Sequence, residues 1–220
     1  MDFFITSLNP QQIEAVTAKP GPTLIIAGPG SGKTRVLTHR IAHLIQQGMP
    51  PFKIMAVTFT NKAAKEMRAR VEKLLSGELR GLTIGTFHSI CARILRREAA
   101  RLNVTHEFVI FDDNDQIAIV KQALERLNLN DKQYKPQTLL GAISKAKNEL
   151  IPPEEFTPDS YFNEIAGRVY AEYQKLLRQN NAYDFDDLLC EVVYLFRNQP
   201  DVLKKYQTQY DHVQVEEFQD

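Results

Sequence analysis

The chain has 220 residues, of which 43% are hydrophobic and 25% are charged, and its 27 basic and 27 acidic side chains cancel to no formal net charge. This is the composition of an ordinary soluble globular protein with enough core for one large or two small domains. Cys91 and Cys190 are the only cysteines, so the sequence predicts no disulfide framework. No apolar run is long enough to span a bilayer, which predicts no membrane partner. Because the start also lacks a signal-peptide pattern, we expect a cytoplasmic protein.

The first predicted element is a short helix that begins after Asn9. Asn9 can cap the helix and Pro10 suits its first turn, which leaves Ile13 and Val16 on the inward face. The amide of Gln12 can donate and accept hydrogen bonds together, as recognition of an adenine edge requires. We therefore expect Gln12 to contact the base of a nucleotide bound nearby.

A glycine-rich loop comes next. The apolar run from Leu24 to Ala27 predicts a buried parallel strand, and the turn after it can direct backbone N–H groups at phosphate oxygens. Lys33 would reach the β- and γ-phosphates, and the Thr34 hydroxyl would bind Mg²⁺. The residues predicted to bind ATP in this loop are Ala27, Gly28, Pro29, Gly30, Ser31, Gly32, Lys33 and Thr34.

The residues after the loop predict the helix that such a motif requires. Apolar side chains recur at helical spacing at Leu37, Ile41, Leu44 and Ile45. Gly48-Met49-Pro50-Pro51 then ends the segment. The N-terminus of this helix adds partial positive charge where the phosphates lie. Ala27 stands where the strict pattern has glycine, but the strand–loop–helix context favours a nucleoside triphosphate site over a chance match.

Two further apolar strands each end in a cluster of threonine and phenylalanine. Residues 54–59 form the first and end at Phe59, and residues 82–85 form the second and lead into Phe87 and His88. Because ligands bind beyond the carboxyl ends of strands in an open parallel sheet, we expect these aromatic side chains beside the phosphate loop. Exposed aromatic side chains in a basic setting suit stacking on single-stranded bases. The alternative is that both phenylalanines belong to the core.

The chain from residue 91 to residue 199 predicts an all-helical insertion. Asp112 can cap a helix whose apolar stripe starts at Ile117. Further helical patterns cover residues 138–147, 165–177 and 185–196. Prolines separate these segments, and the sequence has no repeat and no low-complexity stretch.

The last predicted strand, residues 212–215, is followed at once by Glu216 and Glu217. Carboxylates at the end of a strand, downstream of a phosphate loop, are the expected second half of an ATPase site. One holds Mg²⁺, and the next orients the attacking water or takes its proton. The sequence therefore predicts Thr34 and Glu216 as metal ligands, with Glu217 beside Lys33 in the catalytic machinery.

Charge is distributed unevenly although its sum is zero. Between Lys62 and Arg101 there are ten Lys or Arg and four Glu, whereas between Asp184 and Asp220 there are nine acidic and three basic residues. The basic segment would follow a phosphate backbone, and the acidic one would hold metal or close a site. The alternative is that both are solvated helix faces.

Taken in order, these blocks resemble the superfamily-one DNA helicases of the UvrD/PcrA/Rep type, from Leu8 to Asp220. The phosphate loop alone is shared by many ATPases, whereas the ordered set is much more specific. The matching blocks are Leu8-Asn9 with Gln12, residues 27–34 with Arg35, residues 58–64, residues 86–89, residues 184–189 and residues 215–220.

The resemblance implies a fold and a set of residue roles. The fold is α/β: an incomplete RecA-like P-loop motor domain with a parallel sheet, formed by residues 1–90 and 200–220, with an all-helical subdomain inserted at residues 91–199. Arg35 would belong to the ATP site, and Gln219 would couple the nucleotide state to DNA. The residues implied to contact single-stranded DNA are Thr58, Phe59, Asn61, Thr86, Phe87 and His88.

The activity implied by the resemblance is that of an ATP-dependent DNA helicase. Such an enzyme moves 3′ to 5′ along one strand and unwinds duplex DNA in replication or repair, with ATP and Mg²⁺ as cofactors. The implied partners are single-stranded DNA, junctions of single-stranded and duplex DNA, a second motor domain in the same chain, and repair or replication proteins.

Two departures from the family pattern qualify these expectations. Glu216 stands where the family has an aspartate, and because Mg²⁺ tolerates poor octahedral geometry badly, the extra methylene predicts weaker Mg²⁺ use and slower turnover. The sequence also stops at Asp220, before the family's remaining motifs. We therefore expect these 220 residues alone to bind ATP weakly, to hydrolyse it poorly and to unwind nothing.

Three other functions are kept as alternatives. A different P-loop enzyme, such as a small-molecule kinase, explains Lys33 and Thr34 but not the two clusters of threonine and phenylalanine. A non-catalytic single-stranded DNA-binding or interaction module derived from a helicase is favoured by Glu216. The motor portion of a helicase–nuclease subunit fits the same 220 residues.

Overall fold

A computed structural model describes residues 5–75, 79–102 and 104–219. The chain forms two compact units: one reaches Phe87 and resumes at Asp201, and the other runs from His88 to Pro200. The sequence places the corresponding boundaries at residues 90 and 200.

The described helices and strands follow one another in α/β order. The helices are α1 (Pro10–Thr17), α2 (Lys33–Gln46), α3 (Asn61–Leu75), α4 (Phe87–Arg97), α5 (Asp113–Arg126), α6 (Pro136–Asn148), α7 (Tyr161–Gln179), α8 (Phe185–Asn198) and α9 (Pro200–Gln209). The strands are β1 (Ile54–Thr58), β2 (Thr83–Thr86), β3 (Val109–Ile110), β4 (Ala182–Tyr183) and β5 (His212–Val215). Short 3₁₀ turns cover Ile5–Ser7, Pro51–Lys53, Ala99–Arg101 and Pro153–Glu155.

The first unit is built on a parallel sheet with the strand order β2-β1-β5. Val57 of β1 lies opposite Gly85 of β2 on one side and opposite Val215 of β5 on the other. Because all three strands run in the same direction, their carboxyl ends meet at one edge. That edge is where the residues after Thr58, Thr86 and Val215 leave the sheet.

Helices α2 and α3 bury their apolar stripes with this sheet. Their core contains Ile41 from α2, Met67 and Val71 from α3, and Ile54 and Ala56 from β1, none of which is exposed. The inward positions that helical spacing predicts in α2 are therefore the ones that pack. This packing holds the start of α2 near the carboxyl edge of the sheet.

The segment from Leu24 to Ala27 differs from its prediction as a buried strand. It has no strand assignment, and the side chains of Leu24 and Ile26 are 72% and 88% exposed. A strand requires hydrogen bonds from a neighbouring strand, and no described strand pairs with this segment. The prediction of a strand here is wrong for this structure, although the loop and the helix after it form as expected.

The second unit is helical apart from one short parallel pairing, in which Val109 and Ile110 of β3 lie opposite Ala182 and Tyr183 of β4. Its core joins α5, α6 and α7 around fully buried side chains. The side chains of this core that have no exposed surface include Val120, Leu139, Val169, Tyr173 and Leu177. The prediction of an all-helical insertion thus holds for the bulk of this unit and missed the two-residue strands, which are too short to leave a periodic signal.

Candidate functional site

The phosphate loop turns on two glycines with left-handed backbone. Gly30 has a φ of 73° and Gly32 has a φ of 88°, a region that side-chain-bearing residues rarely adopt. Helix α2 starts directly after Gly32, which caps it without a side chain, and the Val36 N–H donates to the Gly32 carbonyl at 2.9 Å. The first N–H groups of α2 are thereby available to an anion.

Gln12 lies against this loop. Its Nε2 donates to the Ser31 carbonyl at 3.0 Å, and its Oε1 accepts from the Asn9 N–H at 3.1 Å as part of a capping box at the start of α1. The amide predicted to contact adenine thus binds the loop and the helix cap here. Adenine recognition by Gln12 stays a prediction, and it requires these two hydrogen bonds to be exchanged.

The amine of Lys33 is folded onto the loop itself. Its Nζ donates to the carbonyls of Ala27 at 3.0 Å and Gly28 at 3.3 Å. The charge is therefore held at the mouth of the loop, from which a phosphate oxygen can replace a carbonyl as acceptor. The predicted phosphate contact is compatible with this position.

Thr34 and Glu216 are brought together from positions 182 residues apart. The Thr34 hydroxyl donates to Glu216 Oε1 at 2.5 Å. Glu216 Oε2 is buried and has no hydrogen-bond partner among the described residues. A buried carboxylate oxygen without a donor is unfavourable unless a cation or water completes its environment.

These two side chains fit a Mg²⁺ site. Mg²⁺ prefers oxygen ligands and is usually held by one or two protein side chains, with phosphate oxygens and waters completing its shell. The described part of the chain has no cluster of three or more His, Cys, Asp or Glu that would hold a metal by itself. Thr34 and Glu216 would therefore hold the ion together with a nucleotide.

Glu217 and Gln219 follow at the same edge of the sheet. Glu217 adopts a φ of 54°, in the left-handed region, and its Oε2 accepts from Gln219 Nε2 at 2.6 Å. A glutamate in this region is strained by about 1–2 kcal/mol. Both side chains are exposed, and their catalytic and coupling roles stay predictions. Asp220 lies outside the described residues.

Arg35 points away from the loop that it was predicted to join. Its guanidinium donates to the Ser7 carbonyl at 2.9 Å and to the Ser7 hydroxyl at 2.8 Å. In this structure Arg35 ties the start of α2 to the 3₁₀ turn before α1. A contact to ATP would require those bonds to open.

Two exposed phenylalanines stand at the ends of neighbouring strands. Phe59 directly follows β1 and is 65% exposed, and Phe87 directly follows β2 and is 47% exposed. The alternative that both belong to the core is therefore wrong. Asn61, which begins α3, is exposed near Phe59 in the sequence.

The threonines of the same motifs are buried. Thr58 donates through Oγ1 to the Thr60 carbonyl at 3.1 Å, and Thr86 closes β2 opposite Thr58. The Thr58 side chain thereby stabilises the turn that follows β1. A direct DNA contact by Thr58 or Thr86 stays a prediction that their burial does not favour.

His88 is the first residue of the second unit, where it packs against Phe185. Their rings meet edge to face with centroids 5.9 Å apart, and Phe185 is 44% exposed. Phe185 lies in the family block of residues 184–189, and the sequence predicts no role for it. An aromatic residue at the first position of a capped helix, between two aspartates, was the available signal.

A buried charge network holds the helix that carries Phe185. Lys147 Nζ lies 2.6 Å from Asp184 and 2.8 Å from Asp187, and Tyr173 donates to Asp184 at 2.8 Å. Burial alone would lower the pKa of Lys147, but the two carboxylates outweigh burial and raise it. Asp184 also caps α8 through the Asp187 N–H, so the network fixes the start of that helix.

A comparison with protein families identifies the family of this chain. Residues 8–220 match the UvrD/REP helicase N-terminal domain. The chain belongs to the UvrD/REP helicase N-terminal domain family. The predicted family resemblance and the predicted α/β fold with a parallel sheet are thereby confirmed.

The relatives of this UvrD-type chain include bacterial helicases. It is 47% identical over 219 residues to the ATP-dependent DNA helicase PcrA of Bacillus subtilis strain 168, which covers 98% of this chain and 30% of that protein. It is 43% identical over 223 residues to the ATP-dependent DNA helicase PcrA of Staphylococcus aureus strain NCTC 8325, which covers 100% of this chain and 30% of that protein. The chain thus spans about 30% of the length of the curated relatives it matches.

Membership of the UvrD/REP family also excludes one of the alternatives. A small-molecule kinase would not share the ordered blocks from residue 8 to residue 220, so a kinase function is excluded.

Within the described residues, no helix is both long enough and apolar enough to cross a membrane.

Proposed function

We propose that this chain is the ATP-binding and single-stranded DNA-binding portion of a 3′-to-5′ DNA helicase. Its relatives are named ATP-dependent DNA helicases, and the chain has a phosphate loop, an oxygen-ligand pair suited to Mg²⁺ and exposed aromatic side chains. Hydrolysis of ATP would drive movement along one strand and separation of the duplex.

One observation carries the proposal: β1 and β5 are adjacent parallel strands whose ends supply different groups. β1 leads into Phe59, an exposed stacking surface, and β5 leads into Glu216, which contacts Thr34 of the phosphate loop. A single hydrogen-bonded ladder joins these two strand ends. This adjacency supports coupling between the state of the bound nucleotide and the affinity of the chain for DNA.

The residues of the chain have separate tasks in this proposal. Lys33 exchanges its carbonyl acceptors for phosphate oxygens, and the N-terminus of α2 adds its partial positive charge. Mg²⁺, when bound, neutralises charge on the phosphates, and Thr34 and Glu216 hold it. Glu217 orients the attacking water and accepts its proton. Gln219 is hydrogen-bonded to Glu217 and shifts when that carboxylate changes its hydrogen bonds.

The DNA side of the proposal uses base stacking. Phe59 and Phe87 stack on unpaired bases, and Asn61 contacts the same strand. A DNA contact by His88, the first residue of the second unit, is proposed separately. The proposed partners are single-stranded DNA, its junctions with duplex DNA, a second motor domain and repair or replication proteins in the cytoplasm. Unwinding is proposed for a protein of the relatives' length, and slow hydrolysis is proposed for the 220 residues alone.

Calorimetric titration tests the nucleotide part. We expect a non-hydrolysable ATP analogue, β,γ-imido-ATP, to bind the chain in the presence of a divalent cation and to bind at least about tenfold more weakly to Lys33→Ala. Lys19→Ala is the matched control, because Lys19 is an exposed lysine of the same unit outside the loop. Equal affinities for the two variants would contradict the assignment of Lys33.

A second candidate function is a non-catalytic DNA-binding module. The observation that favours it is Glu216, which stands where the family pattern has an aspartate. Salt-dependent binding of a single-stranded oligonucleotide without any binding of β,γ-imido-ATP would support this module. Stimulation of ATP hydrolysis by single-stranded DNA in a full-length form would exclude it.

A further inference from the structure

We propose that the second unit binds an organic cation, a guanidinium or ammonium group on an aliphatic chain, in a cleft between the 3₁₀ turn Pro153–Glu155 and helices α7 and α8. The cleft has a volume of about 510 Å³, and all the residues that line it belong to the second unit. None of them has a task in the proposed nucleotide and DNA sites, so the inference goes beyond the proposed function and does not rest on it.

The walls of the cleft are largely apolar and aromatic. Pro152 and Pro153 come from the turn before α7, Tyr170 and Ala171 come from α7, and Tyr194 comes from α8. A cavity of about 300–1,000 Å³ with apolar walls and a few polar groups is typical of a small-ligand site. The faces of tyrosine rings attract ammonium and guanidinium groups, and the apolar walls suit the aliphatic chain that carries them.

Gln174 lines the cleft and has an unused hydrogen-bond acceptor. Its Nε2 donates to Asp187 Oδ1 at 2.9 Å, and this carboxylate oxygen also lies 2.8 Å from Lys147 Nζ. Because an ionised carboxylate only accepts hydrogen bonds, the contact fixes which end of the amide faces Asp187. The other end, Gln174 Oε1, is buried and has no donor among the described residues. An N–H group of a ligand would therefore stabilise it.

The three basic residues that line the cleft each have a carboxylate partner. The pairs are Lys147 with Asp184 and Asp187, Lys175 with Glu172, and Arg178 with Glu191. Glu154 also lines the cleft, and its exposed side chain has no ion pair or hydrogen bond within the part of the chain that the structure describes. A ligand that brings a positive charge would pair with this carboxylate, whereas an anion would be repelled by it.

The charges around Tyr194 favour a cation as well. Burial is the main cause of the raised pKa of the Tyr194 hydroxyl, and Cys190 and Glu191 raise it further. Glu155 and Glu154 act in the same direction. Carboxylates that oppose a negative charge on this hydroxyl produce a negative potential there, and the same potential attracts a positive charge.

A titration of the chain followed by nuclear magnetic resonance tests the site. The probe is agmatine, which carries a guanidinium and an ammonium group on a four-carbon chain, and butylurea is the neutral relative of its guanidinium end. We expect agmatine to shift the side-chain amide resonances of Gln174 and to bind with a dissociation constant of about 0.1–1 mM. Butylurea should bind at least about tenfold more weakly, because it lacks the charge.

Two further probes distinguish the sources of such a cation. Tighter binding of 1,4-diaminobutane than of N-acetyl-arginine amide would support a free polyamine as the ligand. The reverse order would support an arginine side chain of a partner protein. Failure of both probes to shift the Gln174 resonances at 10 mM, about tenfold above the upper expected dissociation constant, would overturn the proposal.

Substitution of Glu154 tests the charge requirement at an exposed position. Glu154→Gln should weaken agmatine binding about three- to fivefold, because a solvent-exposed ion pair is lost. Glu125→Gln is the matched control, since Glu125 is an exposed glutamate of the same unit that does not line the cleft. Equal agmatine affinities of the two variants would overturn the proposal, as would equal affinities of the unaltered chain for agmatine and butylurea.

Discussion

Thr58 lies opposite Thr86 at the ends of two parallel strands, and each threonine is followed at once by an exposed phenylalanine. The pairing register therefore places Phe59 and Phe87 at equivalent points on one edge of the sheet. Two aromatic side chains repeated in this way form a surface on which unpaired bases can stack. Neither ring fills the core, so either phenylalanine can be replaced without leaving a cavity in the core.

Replacing Phe59 by alanine should weaken binding of a single-stranded oligonucleotide by about 5- to 150-fold, because stacking of one base contributes about 1–3 kcal/mol. Fluorescence anisotropy at fixed salt measures this affinity. Phe52→Ala is the control, since Phe52 is also exposed in the first unit but precedes β1 and lies away from the carboxyl edge. A similar loss for both variants would argue against a stacking surface at Phe59.

Replacing Gly32 by alanine should destabilise the phosphate loop. The residue has a φ of 88°, and a Cβ there would lie 2.8 Å from Gln12 Nε2. The left-handed backbone alone costs about 1–2 kcal/mol, which urea unfolding of the free chain would detect. Gly28→Ala is the matched variant, because a Cβ at Gly28 meets no described atom within 4 Å and its φ is not in the left-handed region. Equal stabilities of the two variants would contradict this account.

Replacing Lys147 by methionine should destabilise the second unit by about 3–5 kcal/mol, because two buried carboxylates would lose their cation. Lys147 is 2% exposed and bonds both Asp184 and Asp187. Lys145→Met on the same helix is the control, since that side chain is exposed and should change stability by less than about 0.5 kcal/mol. The free energy of unfolding in urea distinguishes the two, and a small effect at Lys147 would mean that the network is not stabilising.

The first unit should lose stability as the pH falls below about 6.5. Burial lowers the pKa of His39 and of His212, so the unfolded chain takes up protons that the folded chain rejects. A histidine with a lowered folded-state pKa contributes its full stability above the unfolded pKa and loses it as the pH drops toward the folded value. Urea midpoints at pH 7.5 and pH 5.5 measure the loss.

Substitution identifies the histidines responsible for that dependence. His39→Gln and His212→Gln should each reduce the difference between the two midpoints. An undiminished difference in both buried-site variants would assign the pH dependence to other groups.

Local sequence patterns determined most of the individual elements. Asn9 caps α1 as predicted, glycines take the left-handed positions of the loop, and α2 begins at Lys33 with its apolar stripe buried. These features depend on hydrogen bonds and periodicity within a few residues, so the sequence alone is enough to predict them.

Contacts between distant residues were decided by the tertiary structure. The apolar run from Leu24 to Ala27 has a strand's composition, but a strand also needs a paired neighbour, and no described strand supplies one. The ambiguity of Phe59 was resolved only by sheet register, since the same hydrophobic side chain suits a core or a stacking surface. The Lys147 network joins α6 to α8 across 37 residues and left no periodic signal.

The contact between Thr34 and Glu216 depends both on the amino-acid sequence and on the tertiary structure. The amino-acid sequence by itself determined the chemistry, a hydroxyl at a helix start and a carboxylate after an apolar strand. Only the tertiary structure decided that the two oxygens touch, because the pairing of β5 with β1 and the packing of α2 bring the end of β5 beside the start of α2.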